Sequence, residues 1–496
     1  MRTLLLSLFF LGPVIWAASS PEAVTAARLA REGFECQKTG DYAGALAKYQ
    51  EAQALAPNFN NHYLSAVCLE ALGRPAEAAA AYRAYMAEGR SNIPKGRLDS
   101  VSAKLPSLTA GAPHPVVREV ASPAGPGAMG SSLTRGPDNA VYLSWLEPAG
   151  GDVWAMKFAR YDIAAVRWSE ARTIARGADW FINWADFPVL AVQKDRMTAV
   201  WFVNVASGGG HHAEQYRALH SISADGGLTW SSPQPVTRES ESVEFVALQP
   251  LADGRLLAAW LDGRARAQGQ DRQTLCARIL GADGPDTVVD PYVCDCCQLA
   301  FVPTTDGGAL LAYRGRTKEE VRDMRLARFD GQIWSAPAAL NADSWQIAAC
   351  PVNGPQLAEC GDLIAAVWFT AAQNQPRVLA RVSDSGGERF DAPVRLDLGK
   401  PQGRVDNLML PDGTAVFTWL EAADRSAGRA GGIYLRTLAL DGKLSAPLLL
   451  APATTARAGG FPRIALLPGR GPRQFFLSYT AEGEASRVVT ALITLE

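Results

Sequence analysis

The sequence predicts a β-propeller of seven four-stranded blades, preceded by a small all-α domain. Three observations predict it. From residue 115 onward one template recurs: an apolar strand, a turn, an apolar strand ending in an aromatic, a variable loop and two further strands. The aromatic anchors are Trp145, Trp201, Trp260, Tyr313, Trp368, Trp419 and Tyr479, with successive spacings between 51 and 60 residues. Residues 22–90, by contrast, lack strand-like alternation and are rich in Ala, Glu, Leu and Gln, all good helix formers. Four short strands per repeat of about 40–60 residues mark a propeller.

Composition sets the limits around this fold. The 496 residues are 48% hydrophobic and 20% charged, which excludes disorder, collagen and a multi-span membrane protein. With 48 basic and 50 acidic residues the formal charge is -2, so nothing in the charge favours nucleic acid or an anionic membrane. Eight Cys are too few for a disulfide scaffold at this length.

Residues 1–19 read as a secretory signal. Arg2 supplies the positive start, Leu4 to Trp16 form an apolar run, and Ala17 and Ser19 are small residues at the −3 and −1 positions. The run is short for a membrane span, Gly12-Pro13 interrupts it, and no Cys near the cleavage point accepts a lipid. No other segment approaches a transmembrane length. The mature protein is expected to be soluble and periplasmic or secreted, where disulfides are permitted.

Residues 22–90 contain a repeat: Gly40, Ala45 and Tyr49 recur 33 residues on as Gly73, Ala78 and Tyr82. The stretch Gly33…Gly40-Asp41-Tyr42…Ala45…Tyr49…Ala52…Pro57 resembles the tetratricopeptide family. Gly40 lies between paired helices and Pro57 stops the second. Glu32, where a large apolar residue is usual, and Tyr85, where a small one is usual, depart from the pattern. The resemblance implies a protein partner docking on residues 22–90; a structural cap without a partner is the alternative. Residues 91–114 lose the helical pattern and read as a linker ending in Gly111-Ala112-Pro113.

Within 115–496, Asp253-Gly254, Asp306-Gly307-Gly308 and Asp412-Gly413 signal the turns before three of the anchors. The seventh repeat has strands at 461–467, 474–480 and 487–495 and is then one strand short, while Val116–Ala121 is a spare strand. Donating that strand to the last blade closes the ring, with six blades as the alternative count. Ser223-Ala224-Asp225-Gly226-Gly227-Leu228-Thr229-Trp230 matches the Asp-box, Ser-x-Asp-x-Gly-x-Thr-Trp, of the sialidase-like BNR-repeat propellers. Ser383-Asp384-Ser385-Gly386-Gly387-Glu388-Arg389-Phe390 is a degenerate copy. Ser223, Asp225, Gly227, Thr229 and Trp230 are expected to shape a turn between third and fourth strands, and such turns mark a fold, not a catalyst.

The opposite face, where first strands begin and second strands end, is the candidate site. Asn183, Trp184, Asp186, Glu244, Cys294-Asp295-Cys296-Cys297, Cys350, Asn353, Arg404, Asp406, Asn407 and Arg463 are expected to stand before first strands. His211-His212, Asp262, Arg264, Arg314 and Arg316 follow second strands. Three readings follow. In the first, Cys294, Cys296, Cys297 and Cys350 gather from adjacent blades, with His211 or His212 joining, to bind copper or zinc; two disulfides or thiol redox chemistry are the alternatives. In the second, resemblance to sialidases implies glycoside hydrolysis, with Arg314, Arg404 and Arg463 gripping a carboxylate. The Arg-Ile-Pro segment typical of that family is missing, Ser131-Ser132-Leu133 standing in its place, and no Tyr/Glu pair is placed. The third is a non-catalytic interaction scaffold. Arg314, Arg316, Arg404, Asp406, Arg463, Asp186, Glu244 and Asp262 are the candidates for a glycan or small anionic ligand. Cys36 and Cys68 read as helix-packing residues, and Cys276 and Cys360 as strand residues.

Overall fold

The computed structural model describes residues 20–89, 92–109, 115–205, 216–467 and 473–495. The chain divides into two compact units, one of residues 1–112 with 425–428, which holds the N-terminal helices, and one of residues 113–424 and 429–496, which holds the propeller. The expected signal segment, residues 1–19, lies outside the described residues. Among the described residues, no helix is long and apolar enough to cross a membrane.

The helical unit contains α1 (Pro21–Lys38), α2 (Tyr42–Leu55), α3 (Phe59–Ala71), α4 (Pro75–Gly89) and α5 (Lys95–Thr109). Ser20, Asp41 and Asn58 cap the first three by accepting backbone N–H bonds. Ala45, Tyr49, Ala78 and Tyr82, the repeated residues, are fully buried. A Cβ on Gly33 would meet the Tyr49 ring at 3.0 Å, so this crossing requires a residue without one. The two departures from the repeat have local partners. Glu32 pairs with Lys48 at 3.0 Å, and Tyr85 packs against Phe59 and Tyr63 at ring distances of 5.7 and 5.2 Å.

Helix α5 corrects the expectation that residues 91–114 lose helical structure. Leu98, Val101 and Leu105 recur at helical spacing and join a cluster with Tyr82 and Tyr85. These apolar residues are spread through a polar, proline-containing stretch, which weakens the helical pattern in the sequence.

The propeller has seven sheets. Blades 2 to 7 begin with inner strands Val189–Val192, Val243–Pro250, Ala300–Pro303, Gln356–Cys360, Pro401–Met409 and Arg463–Leu466, and blade 1 with Met129–Arg135. Every predicted anchor sits in a second strand. Trp145, Trp260, Tyr313, Trp368 and Trp419 are at most 1% exposed. Val116–Val120 pairs antiparallel with Thr490–Thr494, outermost in blade 7, so the N-terminal strand closes the ring.

Fourth strands are shorter than expected. In blade 2 the ladder covers only Gln234–Pro235, and blades 4 and 5 have Ala338–Ala339 and Val394–Arg395. Pro233 and Pro235 supply no N–H to extend the first of these.

Candidate functional site at the channel rim

The rim where inner strands begin is held by a repeated hydrogen bond. A side chain ahead of or early in one inner strand accepts a backbone N–H from the next blade. Both Asp186 carboxylate oxygens accept from Phe245 N at 3.1 Å, and Gln298 Oε1 accepts from Gly354 N at 3.0 Å. Asn353 Oδ1 accepts from Arg404 N at 2.7 Å, and Asp406 Oδ2 from Ile464 N at 2.8 Å. These bonds tie blade 2 to 3, 4 to 5, 5 to 6 and 6 to 7. Gln298 also reaches back to blade 2, donating to Ala185 O at 2.9 Å. Burial pushes Asp186 well above the usual carboxylate range, and it raises Asp406 to about 6 although Arg463 and two backbone N–H groups pull the other way.

A second pattern uses carboxylates as indole acceptors. Trp145 Nε1 donates to Glu147 at 2.6 Å, Trp260 Nε1 to Asp262 at 2.8 Å and Trp419 Nε1 to Glu421 at 2.6 Å. In each case the acid stands two residues after the anchor, in Trp-Leu-Glu or Trp-Leu-Asp. Asp262 also takes Arg264 Nε and Nη2 at 2.8 and 2.7 Å. Its oxygens are filled by the blade, which corrects its reading as a ligand-facing acid.

The arginine trio does not form a free carboxylate grip. Arg314 gives Nε and Nη2 to Asn353 O, Nη1 to Arg322 O and Nη2 to Phe369 O, and lies over the Trp345 ring. Arg404 donates to Ala456 O, Thr455 O and Gly460 O above Trp184. Burial lowers Arg404 to about 10, with only Glu482 pulling the other way. Arg463 faces Asp406 at 3.8 Å and lies over Phe187 at 5.0 Å. Two of the three are therefore committed to backbone carbonyls. Buried guanidinium groups crossing between loops are structural clamps in this fold.

Around the loop that enters blade 4 the rim is different. Cys296 and Cys350 form a disulfide, Cα to Cα 5.9 Å, joining the loops ahead of inner strands 4 and 5. Cys294 and Cys297 are free thiols, each 1% exposed, with sulfurs 3.8 Å apart. The Cys294, Cys296 and Cys297 sulfurs lie within 4.8 Å of one another. One disulfide and one dithiol thus replace both the two-disulfide expectation and a site of four free thiols. Arg322 Nη1 reaches Cys294 Sγ at 3.2 Å and Asp295 at 2.9 Å. Burial disfavours the Cys294 thiolate, but the Cys297 contact, Arg314 and Arg322 outweigh it and bring the thiol to about 6. Cys297 moves the opposite way, well above the usual thiol range, through burial and the neighbouring Cys294.

Charges encircle these sulfurs. Arg266 pairs with Asp295, Arg322 with Glu320 at 2.8 Å, and Arg316 with Glu320 at 2.5 Å and Asp271 at 3.3 Å. Glu244 accepts Gln273 Nε2 at 3.2 Å. Burial, with Asp295 adding repulsion, raises Glu244 to about 7 against the opposing pull of Tyr216, Arg266 and Gln273. His211 and His212 lie outside the described residues.

On the opposite face, Asp225 accepts from Leu228 N and Thr229 N at 3.0 Å and from the Thr229 hydroxyl at 2.5 Å. Ser223 Oγ accepts Gly227 N at 2.8 Å, and Trp230 meets Phe158 edge-on. Gly227 has φ +82°, and a Cβ there would strike Phe158 at 2.3 Å. Residues 149–358 match a BNR repeat-like domain. These residues are the BNR repeat-like part of the seven-bladed propeller. The matched stretch contains both the Asp-box turn and all four rim cysteines.

Comparison with curated proteins finds no match. Among solved structures, the BNR propeller is similar to a Penicillium chrysogenum alpha-L-arabinanase complexed with arabinobiose, at 13% identity and TM-score 0.41, covering 77% of this chain and 98% of that one. It is similar to the Hadza microbial sialidase Hz136 at 12% identity and TM-score 0.41, covering 74% and 66%. Likeness to the polysaccharide lyase Uly1 has 10% identity and TM-score 0.44, covering 76% and 92%. Likeness at this level carries no activity across.

Of the eight ligand candidates, the BNR propeller commits Asp186, Asp262, Asp406, Arg314 and Arg404 to its own framework. Glu244, Arg316 and Arg463 keep ion-pair or side-chain partners. Sequence reading missed Gln298, Arg322 and Glu320. Gln298 adjoins the cysteine triplet and could have been noticed there; Arg322 and Glu320 sit in a loop with no distinguishing pattern.

Proposed function

We propose that this chain is an exported BNR propeller that binds a soft thiophilic metal ion, Cu(I) or Zn(II), through its rim cysteines. The observation that carries the reading is the 3.8 Å separation of the Cys294 and Cys297 sulfurs with the Cys296 sulfur close to both. Thiolates about 2.3 Å from a tetrahedral ion stand about 3.8 Å from one another. Cys294 and Cys297 supply one such edge, and Cys296 and Cys350, when reduced, supply the remaining ligands. Arg322 and Arg314 offset the negative charge that several thiolates around one cation would bring into a buried place. The helical unit, residues 22–90, serves as the docking module for a protein partner.

The rival reading is glycoside hydrolysis of sialidase type. The carbonyl partners of Arg314 and Arg404 count against it, since a carboxylate grip needs guanidinium donors facing the ligand. Both readings are tested on reduced protein supplied with Cu(I) or Zn(II). One equivalent of ion retained through desalting, lost in a Cys294→Ser/Cys297→Ser variant, supports the metal reading. Hydrolysis of a sialoside that is abolished by Arg463→Ala, with no ion retained, overturns it.

A further inference from the structure

We infer that the Cys296–Cys350 disulfide is a redox lock on this rim, so that a dithiol reductant decides whether the site can take its ion. The inference rests on the proposed metal reading and adds its regulation. A disulfide sulfur offers no thiolate, so with the lock closed only Cys294 and Cys297 remain to bind. Two thiolates hold a thiophilic ion far more weakly than a closed set of four.

The burial of the four cysteine residues orders their accessibility. Cys294 and Cys297 are 1% exposed and Cys296 8%, whereas Cys350 is exposed. A reductant from solvent therefore meets Cys350 first. Its thiolate attacks there, the Cys296–Cys350 bond breaks, and Cys296 leaves with the electron pair as a thiolate. The reductant's second thiol then attacks the mixed disulfide, which frees Cys350 and closes the reductant's own disulfide. Two electrons and two protons pass from reductant to protein, and nothing else is consumed. The freed Cys296 sulfur starts within 4.8 Å of both Cys294 and Cys297. No large movement is needed to bring in a third ligand.

The loop that bears Cys350 suits a lock. Cys350 lies in a stretch without regular strand pairing, and Asn353 and Gly354 just beyond it are fixed by Arg314, Arg404 and Gln298. Breaking the disulfide frees the Cys350 end while the blade boundary behind it stays tied.

The test is a Zn(II) titration of full-length protein against a chromophoric chelator. One sample keeps the disulfide, verified by peptide mass; the other is reduced with dithiothreitol and desalted without oxygen. The expected result is one Zn(II) bound roughly 100-fold more tightly after reduction. Cys350→Ser, at an exposed position, should bind Zn(II) through the remaining three thiolates without any reduction, since the Cys296–Cys350 bond can no longer form. Equal, tight binding with the disulfide intact overturns the lock and leaves the metal site standing. Failure of every form to bind overturns the metal reading, and the lock with it. A Cys350→Ser protein that still needs dithiothreitol overturns the lock alone.

Discussion

Two arcs of one rim use polar side chains in opposite ways. From blade 4 round to blade 7, Gln298, Asn353 and Asp406 each accept an N–H from the next blade, and Arg314 and Arg404 each clamp backbone carbonyls. Between blades 3 and 4 a main-chain bond from Cys294 N to Arg314 O at 3.1 Å is joined by side-chain ion pairs: Arg266 with Asp295, and Arg325 with Asp290 at 2.8 Å. There the charges are satisfied by one another, and Arg322 reaches both Asp295 and the Cys294 sulfur. The lesson is physical. A backbone partner fixes a polar side chain for as long as the fold exists, whereas a cluster of side chains can exchange partners with an ion or a reductant. Residue type alone does not distinguish the two arcs, because both are rich in Arg, Asp and polar amides.

The largest test of the tied architecture removes the strand that completes it. Deleting residues 115–122 strips blade 7 of its outer strand, all five residues of which pair with Thr490–Thr494. The expected outcome is insoluble protein or loss of a cooperative thermal transition, because an exposed edge replaces a closed ring. A truncated protein that melts like the parent would place closure elsewhere.

Asp406→Ala should come next in size. It leaves the Ile464 N–H without its acceptor and Arg463 buried without its counter-charge. Breaking a buried pair of this kind costs on the order of 3 kcal/mol, readable by urea unfolding. Thiol count and ion uptake should be unchanged in the folded fraction. If uptake fails while stability holds, the two arcs form one site and the comparison collapses.

The repeat made the fold legible. Anchors such as Trp260 and Trp419 sit at the same point of every blade because a large side chain must fill the same gap between sheets. The spare strand at 116–120 was legible by counting. The rim was legible only as a location. Asp262 follows Trp260 by the same two-residue step as Glu147 follows Trp145 and Glu421 follows Trp419, and that recurring step is the sequence signal of an indole acceptor, not of a ligand-facing acid. The role of Asp186 depends on Phe245 N, 59 residues away, and no local pattern reports such a bond. Cys350 could be assigned to the triplet's neighbourhood because equivalent positions in adjacent blades are adjacent in space, but its choice of Cys296 as partner is set by loop geometry.

Glu244 gives a smaller, pH-resolved test of the ion-paired arc. Burial and Asp295 raise its folded-state pKa from 4.5 to about 7, so the fold favours the protonated acid. That favourable contribution is complete below the unfolded value and is lost as pH rises through about 7. The parent should therefore lose melting temperature between pH 5 and 8 through this group, and Glu244→Gln should flatten the profile in that window. A Glu244→Gln profile parallel to the parent's would show that the acid is solvated as in the unfolded chain.

The smallest effect is expected from Asp225→Ala on the far face. Asp225 is exposed, and its carboxylate serves only its own turn, accepting from Leu228, Thr229 and Ser223. Those bonds, the Thr229 hydroxyl foremost, hold it below the usual carboxylate range, so its contribution is present at neutral pH and is lost as pH falls through the acid range. The degenerate turn in blade 5 shows how little the turn needs that group. Ser385 Oγ takes Arg389 N at 3.1 Å in the place of a carboxylate, Ser383 Oγ still takes Gly387 N at 3.0 Å, and Arg328 still reaches Gly386 O from the preceding blade. In blade 2, Arg172 makes the equivalent bond to Gly226 O at 2.9 Å. With that inter-blade bond and Trp230 retained, Asp225→Ala should lower the melting temperature at pH 7 by no more than a few degrees. The gap from the parent should narrow toward acid pH. Zn(II) affinity of the reduced protein should be unchanged, and a folded Asp225→Ala protein with weakened ion binding would put the working site on the wrong face of the propeller.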